Sequence, residues 1–325
     1  TYTDKQSVSN LTTTKGGVVN LYAVWGANSY TLSYNYNGAT GGNTSASKSV
    51  AYNGAYGTLP SPTKAYAVTY SYDGATGGNT STSATANYTF NGWYKEAAFT
   101  NAVTSTTTYN TAGNSTIYAK FTSASVTLPT PTKTGYTFGG WYSDNALSNK
   151  IGDAGAAYTP TSNITLYAKW TINSYYLDLN GNLDGASSGG LGTYGTADVY
   201  INGSLVSSGV NDFYRQYPYG TTYEIKNIKA STGHTYGGIY SGSLTGTIGT
   251  SHVYVSLKFT SNTYSIGYTL NGGTKGTNAP TSATYDKDVN ISNPTKTFTV
   301  NITDNNSTTL SSKTASKAQT FAGWS

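Results

Sequence analysis

The chain is 325 residues long, 36% hydrophobic and only 10% charged, with a formal net charge of +5 at pH 7. It has 32 Tyr and 38 Gly but no Cys and no Met, which excludes a disulfide framework and any thiolate metal site. The positive charge is scattered Lys with a single Arg, Arg215; the clustered cations that neutralise phosphates and read base edges are missing, so nucleic-acid binding is excluded.

β-Branched and aromatic residues favour strands, and Gly, Asn, Ser and Pro favour the turns between them. Helix formers are scarce, with Glu96 and Glu224 the only Glu residues. An all-β fold follows. No apolar run approaches the roughly 20 residues that a membrane-spanning helix needs. The chain opens on Thr1 without a signal-peptide pattern, which reads as a mature product or a fragment. A polar chain free of Cys and Met suits an oxidising exterior, so the expected setting is extracellular, at a cell surface.

In chain order, the first signal is Leu21-Tyr-Ala-Val-Trp25, which ends residues 1–26. Tyr30-Thr-Leu-Ser-Tyr-Asn-Tyr-Asn-Gly38 opens a unit, and Asn37-Gly38, like Asn180-Gly181 and Asn271-Gly272 further on, supplies the positive φ of a tight hairpin turn. Then come Pro62-Thr-Lys, the block Tyr88-Thr-Phe-Asn-Gly-Trp93-Tyr94, and the closing strand Ile117-Tyr-Ala-Lys-Phe121. The order recurs as Pro131-Thr-Lys, Tyr136-Thr-Phe-Gly-Gly-Trp141-Tyr142 and Leu166-Tyr-Ala-Lys-Trp170. Tyr175-Tyr-Leu-Asp-Leu-Asn-Gly181 opens the next unit and Val255-Ser-Leu-Lys-Phe259 closes it, with Thr235-Tyr-Gly-Gly-Ile-Tyr240 where a Trp block is expected. Tyr264-Ser-Ile-Gly-Tyr-Thr-Leu-Asn-Gly-Gly273 opens the last, followed by Pro294-Thr-Lys and Gln319-Thr-Phe-Ala-Gly-Trp324.

Repetition at a fixed period marks an array of supersecondary units. Trp93 to Trp141 is 48 positions (141 − 93) and Phe121 to Trp170 is 49 (170 − 121). Pro131 lies 10 before Trp141, whereas Pro62 lies 31 before Trp93 and Pro294 lies 30 before Trp324. The first and last units therefore carry an insert of about twenty residues, expected to be an added hairpin. Alternation puts Leu166, Ala168 and Trp170 on one strand face, with Tyr167 and Lys169 on the other. Ile117, Ala119 and Phe121 repeat the inner face, as do Val253, Val255, Leu257 and Phe259. The glycine before each block Trp lets the backbone bend, so that the indole and the Phe three residues earlier share one core.

The Phe-x-Gly-Trp-Tyr block followed by Leu-Tyr-Ala-Lys-Trp resembles the Listeria–Bacteroides repeat, related to the internalin B-repeats. The resemblance implies small β-grasp-like or sandwich-like modules strung in an elongated array along bacterial surface proteins, with no enzymatic activity and no shared catalytic residues. On this reading residues 1–26 are the C-terminal half of a repeat and 27–122 a repeat with the inserted hairpin. Residues 123–171 are a compact repeat and 172–261 a divergent one, with a different insertion around Asp198–Asn211. Residues 262–325 are the N-terminal half of a repeat with the inserted hairpin.

Several patterns imitate chemistry. Gly185-Ala-Ser187-Ser-Gly189 spells a hydrolase nucleophile elbow, but the Gly-rich run after it cannot be the helix that an elbow needs. Gly190-x-Gly192-x-x-Gly195 spells a dinucleotide fingerprint, yet leads into a strand-and-turn sequence. Asp178, Asn180, Asn182 and Asp184 alternate like a calcium loop, but Leu183 and Gly189 stand where an EF-hand requires Gly and Glu. His234 and His252 are the only histidines and have no acid partner nearby in sequence. No catalytic group, cofactor or metal is expected.

Phe90, Trp93, Phe121, Phe138, Trp141, Trp170, Phe321, Trp324 and Trp25 are the expected structural core. Tyr118, Tyr167 and Tyr254 point away from it and offer amphipathic contact area for another subunit or for polysaccharide. The expected function is an extracellular structural array: a surface fibre, sheath or adhesin stalk. The alternative is a binding module that recognises glycans or host proteins through exposed Tyr. Joining the end of one such chain to the start of another puts Trp25 at position 350 (325 + 25), 26 beyond Trp324. That nearly equals the 28 between Trp93 and Phe121 (121 − 93). Head-to-tail continuation, within one polypeptide or between copies, is therefore the expected partnership.

Overall fold

A computed structural model describes residues 2–75, 77–297 and 319–324, with the backbone of 299–300 and 315–316. Among them every regular element is a strand. The longer strands, in chain order, are β1 (Ser29–Asn35), β2 (Ser47–Ala51), β3 (Pro62–Ser71), β4 (Ser83–Tyr94), β5 (Ser115–Thr122), β6 (Tyr136–Tyr142) and β7 (Ile164–Ile172). They continue with β8 (Ser174–Leu183), β9 (Gly195–Ile201), β10 (Ser204–Val210), β11 (Phe213–Pro218), β12 (Thr222–Ala230), β13 (His234–Ser241) and β14 (Val253–Ser261). The chain forms two compact units, Thr1–Pro131 with Gly139–Lys169, and Thr132–Phe138 with Trp170–Ser325.

In the first unit a ten-stranded sheet runs from Lys150–Gly152 through β6, β7, β3, β4, β5 and β1 to β2, with two short strands on β3 and β4. The opening strand β1 lies parallel to the closing strand β5, from Leu32↔Ser115 to Asn35↔Tyr118. Parallel neighbours need a long connection, and here it is the rest of the module. The core behind them gathers Leu32, Val50, Tyr56, Trp93, Val103, Tyr109, Ile117 and Ala119.

The hairpin β3–β4 corrects the expectation of an insert accessory to the first repeat. β3 pairs in parallel with β7, from Val68↔Ile164 to Ser71↔Tyr167. It is thus the opening strand of the second module. β4 serves both modules: Ser83–Tyr88 pair with β3, and Thr89–Tyr94 pair with β5. The two modules are interleaved, and the boundary expected at 122/123 runs through a shared sheet. Gly38-Ala-Thr-Gly-Gly-Asn-Thr-Ser45 is repeated identically as Gly74-Ala-Thr-Gly-Gly-Asn-Thr-Ser81. The turns match as well, with positive φ at Asn37, Gly38, Asp73 and Gly74.

Residues 172–261 follow the same rule. β8 lies parallel to β14, from Leu177↔Val253 to Leu183↔Phe259. Their sheet runs Ala186–Ser188, β8, β14, β13, with β11 also on β8. A second sheet, β10–β9–β12 with Thr245–Thr247, contributes Ala197, Val199, Ile201, Tyr223 and Ile225 to a core shared with Leu177, Leu179, Val255, Leu257 and Phe259. The insertion expected near Asp198–Asn211 is the hairpin β9–β10. Asn180-Gly181, expected as the turn, instead lies within β8; pairing persists to Leu183, and the turn falls at Asp184-Gly185. Gly181 is needed for close approach, since a Cβ there would sit 3.0 Å from the Gly190 carbonyl oxygen.

In the last unit Thr263–Ser265 pairs with Ser282–Thr284. Most of the hairpin expected after Pro294 lies outside the described residues; the backbone pairs Thr299 with Ser316 and Val300 with Ala315.

Candidate functional site

Each Trp site is built the same way. Positive φ at Gly92 and Gly140, just before the Trp, belongs to a bulge that breaks the register between Phe90 and Trp93 in the first copy. The extra residue turns the indole into the core. There its N–H donates to a loop carbonyl, Trp93 Nε1 to Pro60 at 2.8 Å and Trp141 Nε1 to Pro129 at 3.0 Å. The Leu-Pro-x-Pro loops are therefore acceptors for the indole. Tyr34 and Tyr36 pack on Trp93 with ring centroids 5.1 and 5.3 Å away, and Tyr70 and Tyr72 pack on Trp141 at 5.1 and 5.2 Å.

Trp93 and Trp141 are 2% and 0% exposed. Phe90, Phe121, Phe138, Trp170 and Phe321 are half-buried. Trp25 departs from its expected core position at 89% exposed, and Trp324 is 39% exposed. Neither has opening and closing strands paired around it among the described residues. Trp25 belongs to a closing segment that pairs with no opening strand among the described residues. Trp324 has Tyr268 at 5.3 Å and Phe321 at 5.0 Å, but no closing strand among those residues.

A second recurring device sits where opening and closing strands meet. The backbone N–H of Thr31 donates to Asn114 Oδ1 and that of Ala67 to Asn163 Oδ1, both at 2.9 Å. In the third module the N–H of Tyr176 donates to His252 Nδ1 at 2.8 Å. One side-chain acceptor before each closing strand thus takes an otherwise unpaired N–H of the opening strand. His252 is a clasp residue, and the change of residue type hides it in the sequence.

A third device joins successive modules in the C-terminal unit. Asn173 N–H donates to the Gly135 carbonyl at 2.9 Å, Thr137 Oγ1 donates to Asn173 Oδ1 at 2.7 Å, and Tyr219 N–H donates to the Asn173 carbonyl at 2.8 Å. The Tyr219 ring lies so close to Gly135 that a Cβ there would fall 2.2 Å from it. Asn262, Gly233, Thr235 and Tyr285 repeat this arrangement, with distances of 2.8, 2.6 and 2.9 Å and a Cβ clearance of 2.3 Å. Asn173 and Asn262 each stand three residues after the closing aromatic, as Asn28 does after Trp25. Tyr52 N–H donates to the Asn28 carbonyl at 2.8 Å, and Tyr52 is 38% exposed.

The imitations of chemistry resolve into structure. Ser187 lies in a strand paired with β8. His234 packs between Tyr194 and Tyr285, with ring centroids 5.5 and 5.3 Å away. The hydroxyl of Ser261 at 2.8 Å, with the Ser261 N–H, holds the Asp184 carboxyl below the ordinary carboxylate range. The Thr100 hydroxyl lowers Glu96 in the same way, the Ser148 N–H lowers Asp144, and the Asn227 amide lowers Asp198. Glu96 and Asp144 close turns, whereas Asp184 and Asp198 tie together segments distant in the chain. No group of three His, Cys, Asp or Glu residues suited to a metal ion occurs among the described residues. Among those residues no helix is long and apolar enough to cross a membrane.

Of the outward tyrosines, Tyr118 and Tyr167 are half-buried and Tyr254 is 56% exposed. Tyr254 shares a face with Tyr176 and Tyr214, whose rings stack 4.0 Å apart.

Residues 65–120 and 122–169 each match the Listeria-Bacteroides repeat domain, about a third of the chain together. The first matched span joins β3 to Trp93, although in the structure β3 packs its Tyr70 and Tyr72 on Trp141. Comparison with curated proteins and with solved structures gave no match.

Proposed function

We propose that this chain is part of a structural array at a bacterial surface, a fibre, sheath or adhesin stalk, and that it acts by propagating one module onto the next rather than by catalysis. The observation that carries this reading is the junction seen twice, at Asn173 and at Asn262, and half-built a third time at Asn28 and Tyr52. At the third place the Asn–Tyr half is set, while Leu21, Tyr22, Val24 and Trp25 are 67–89% exposed beside it in sequence. Such an apolar segment in water is a liability unless another surface covers it. Its pattern is that of the closing strands, so its occupant is the opening hairpin and Trp block of a preceding module. The segment just before the Trp block of that module would seat on Asn28 and Tyr52. The Listeria–Bacteroides repeat occurs in bacterial surface proteins, which supports the location.

The neighbour is a module of the same polypeptide or of a second copy; head-to-tail contact in either form is open and propagates. Immunogold labelling of intact cells and electron microscopy of the purified native material test the reading. Surface label with filaments or long stalks is expected. Label confined to the cell interior, or native material consisting of isolated compact particles, would overturn it. The mass of the denatured native chain separates the covalent form of the neighbour from the assembled one.

A further inference from the structure

The array reading leaves one surface of residues 174–261 unexplained. A cleft of about 380 Å³ lies on the outer face of the sheet formed by Ala186–Ser188, β8, β14 and β13. Its lining is uncharged and consists chiefly of hydroxyl and amide bearers, among them Asn180, Ser187, Tyr240, Ser241, Tyr254 and Ser256. The register puts them there: Asn180 pairs with Ser256 and Asp178 with Tyr254, so these side chains face away from Leu179, Val255 and Leu257 in the core. Tyr240 and Tyr254 are 54% and 56% exposed. Aligned on the closing aromatics Phe121, Trp170 and Phe259, Tyr118 and Tyr167 stand where Ser256 does, so the third module has a small hydroxyl in place of a half-buried ring.

Ser256 is only 7% exposed, and its hydroxyl is buried with no hydrogen-bond partner. Buried polar groups are paired as a rule, and an exception in a cleft marks a place for a ligand's hydrogen bond. Asn180 is held at the wall, its Oδ1 accepting from the Gly190 N–H at 3.3 Å. Gly242 keeps the turn after β13 close behind Tyr254, since a Cβ there would fall 2.3 Å from the Tyr254 carbonyl oxygen.

We propose that this cleft binds a neutral glycan. One pyranose lies with its C–H face on the Tyr254 ring and sends hydroxyls to Asn180, Ser187 and Ser256. An aromatic face is electron-rich and attracts weakly polarised C–H groups, while a few fixed polar groups set orientation. An acidic sugar would find no cation in this lining. A peptide strand would need an unpaired sheet edge, whereas the cleft lies across a sheet face. The inference does not depend on the array reading, and either can fail alone.

The test is a glycan array followed by saturation-transfer NMR on the whole chain, with neutral and acidic oligosaccharides. Neutral hexose or N-acetylhexosamine glycans are expected to bind, and Tyr254→Ala and Ser256→Ala should each weaken binding about tenfold or more. Tyr167→Ala should leave binding unchanged. Ser256→Ala removes an unpaired hydroxyl, so its melting temperature should not fall, which separates lost binding from lost folding. The proposal is overturned if neutral glycans do not bind at millimolar concentration. It is equally overturned if bound glycan is indifferent to both cleft variants, or if only acidic glycans or proteins bind.

Discussion

The second and third modules solve the same problem with different side chains. Both lay an opening strand parallel to a closing strand, and both place a glycine of positive φ, Gly140 or Gly238, inside the strand that precedes the closing one. The second then inserts Trp141 into the core, 0% exposed, on Tyr70 and Tyr72. The third has Ile239 at the corresponding place, 44% exposed. It buries Leu179, Val255, Leu257 and Phe259 against a second sheet instead. A module whose main sheet is backed only by two-residue strand pairs needs a large aromatic plug, whereas a module that gains a four-stranded second sheet can release that position to solvent.

The largest difference between the two modules should appear on truncation. Burying a Trp removes about 150–250 Å² from water, worth roughly 4–6 kcal/mol as an upper bound at about 25 cal/mol/Å². Trp141→Ala should destabilise its unit by about 3–5 kcal/mol. Ile239→Ala, at an exposed site, should cost within about 0.5 kcal/mol. Chemical unfolding followed by Trp and Tyr fluorescence checks both, and equal losses would break the comparison.

A smaller contrast concerns the bulge glycines. A Cβ at Gly140 would meet Lys150 Cε at 2.5 Å and the Gly152 carbonyl oxygen at 3.0 Å, whereas at Gly238 nothing lies within 4 Å. Both substitutions to Ala place a side chain in the left-handed region, worth of order 1–3 kcal/mol. Gly140→Ala should therefore lower the melting temperature more than Gly238→Ala; the reverse order would contradict the close packing described around Gly140.

The clasp sharpens the comparison further. His252→Asn would give the third module the acceptor used by the other two and should be nearly neutral. His252→Ala leaves the Tyr176 N–H without its acceptor and should cost about 1 kcal/mol. Amide exchange at Tyr176 would report the loss directly, and unchanged protection in His252→Ala would remove the clasp from the account.

The smallest effect recurs in the first three modules. Glu96, Asp144, Asp184 and Asp198 all titrate below their ordinary values because hydrogen-bond donors favour the charged form. Depressed folded values stabilise the fold above the unfolded carboxylate range of about 4 and lose that contribution as pH falls through the folded values. Melting temperature should be flat above about pH 5 and decline below about pH 4. Asp184→Asn should flatten the acid limb, as measured by thermal melts across that range.

Much of this was legible in the residues. Strand periodicity located the closing strands, and shared position located the Trp blocks. The interleaving was also present, in the repeat of Gly38–Ser45 as Gly74–Ser81, but the Pro-to-Trp spacing framed that hairpin as an insert. Spacing along a chain records order, and parallel pairing joins strands by space, so Val68 and Ile164 meet across 96 positions (164 − 68). The Asn180-Gly181 turn was misplaced because a strand partner can extend pairing past a turn-prone pair. The cleft escaped because its residues, Asn180, Tyr240 and Ser256, are ordinary strand residues until register assembles them. Trp25 was assigned to a core by pattern alone, and burial also requires the other half of the module.

The central claim is that the first two modules share strands and so cannot be separated at residue 122. The direct measurement is to express residues 123–171 alone and residues 27–171 together, and to record NMR spectra and Trp fluorescence of each. The short fragment lacks the β3–β4 hairpin, and it is expected to be unfolded with Trp141 exposed to quencher. The longer one should give dispersed resonances and a protected Trp141. A folded 123–171 fragment with Trp141 buried would contradict the interleaved account.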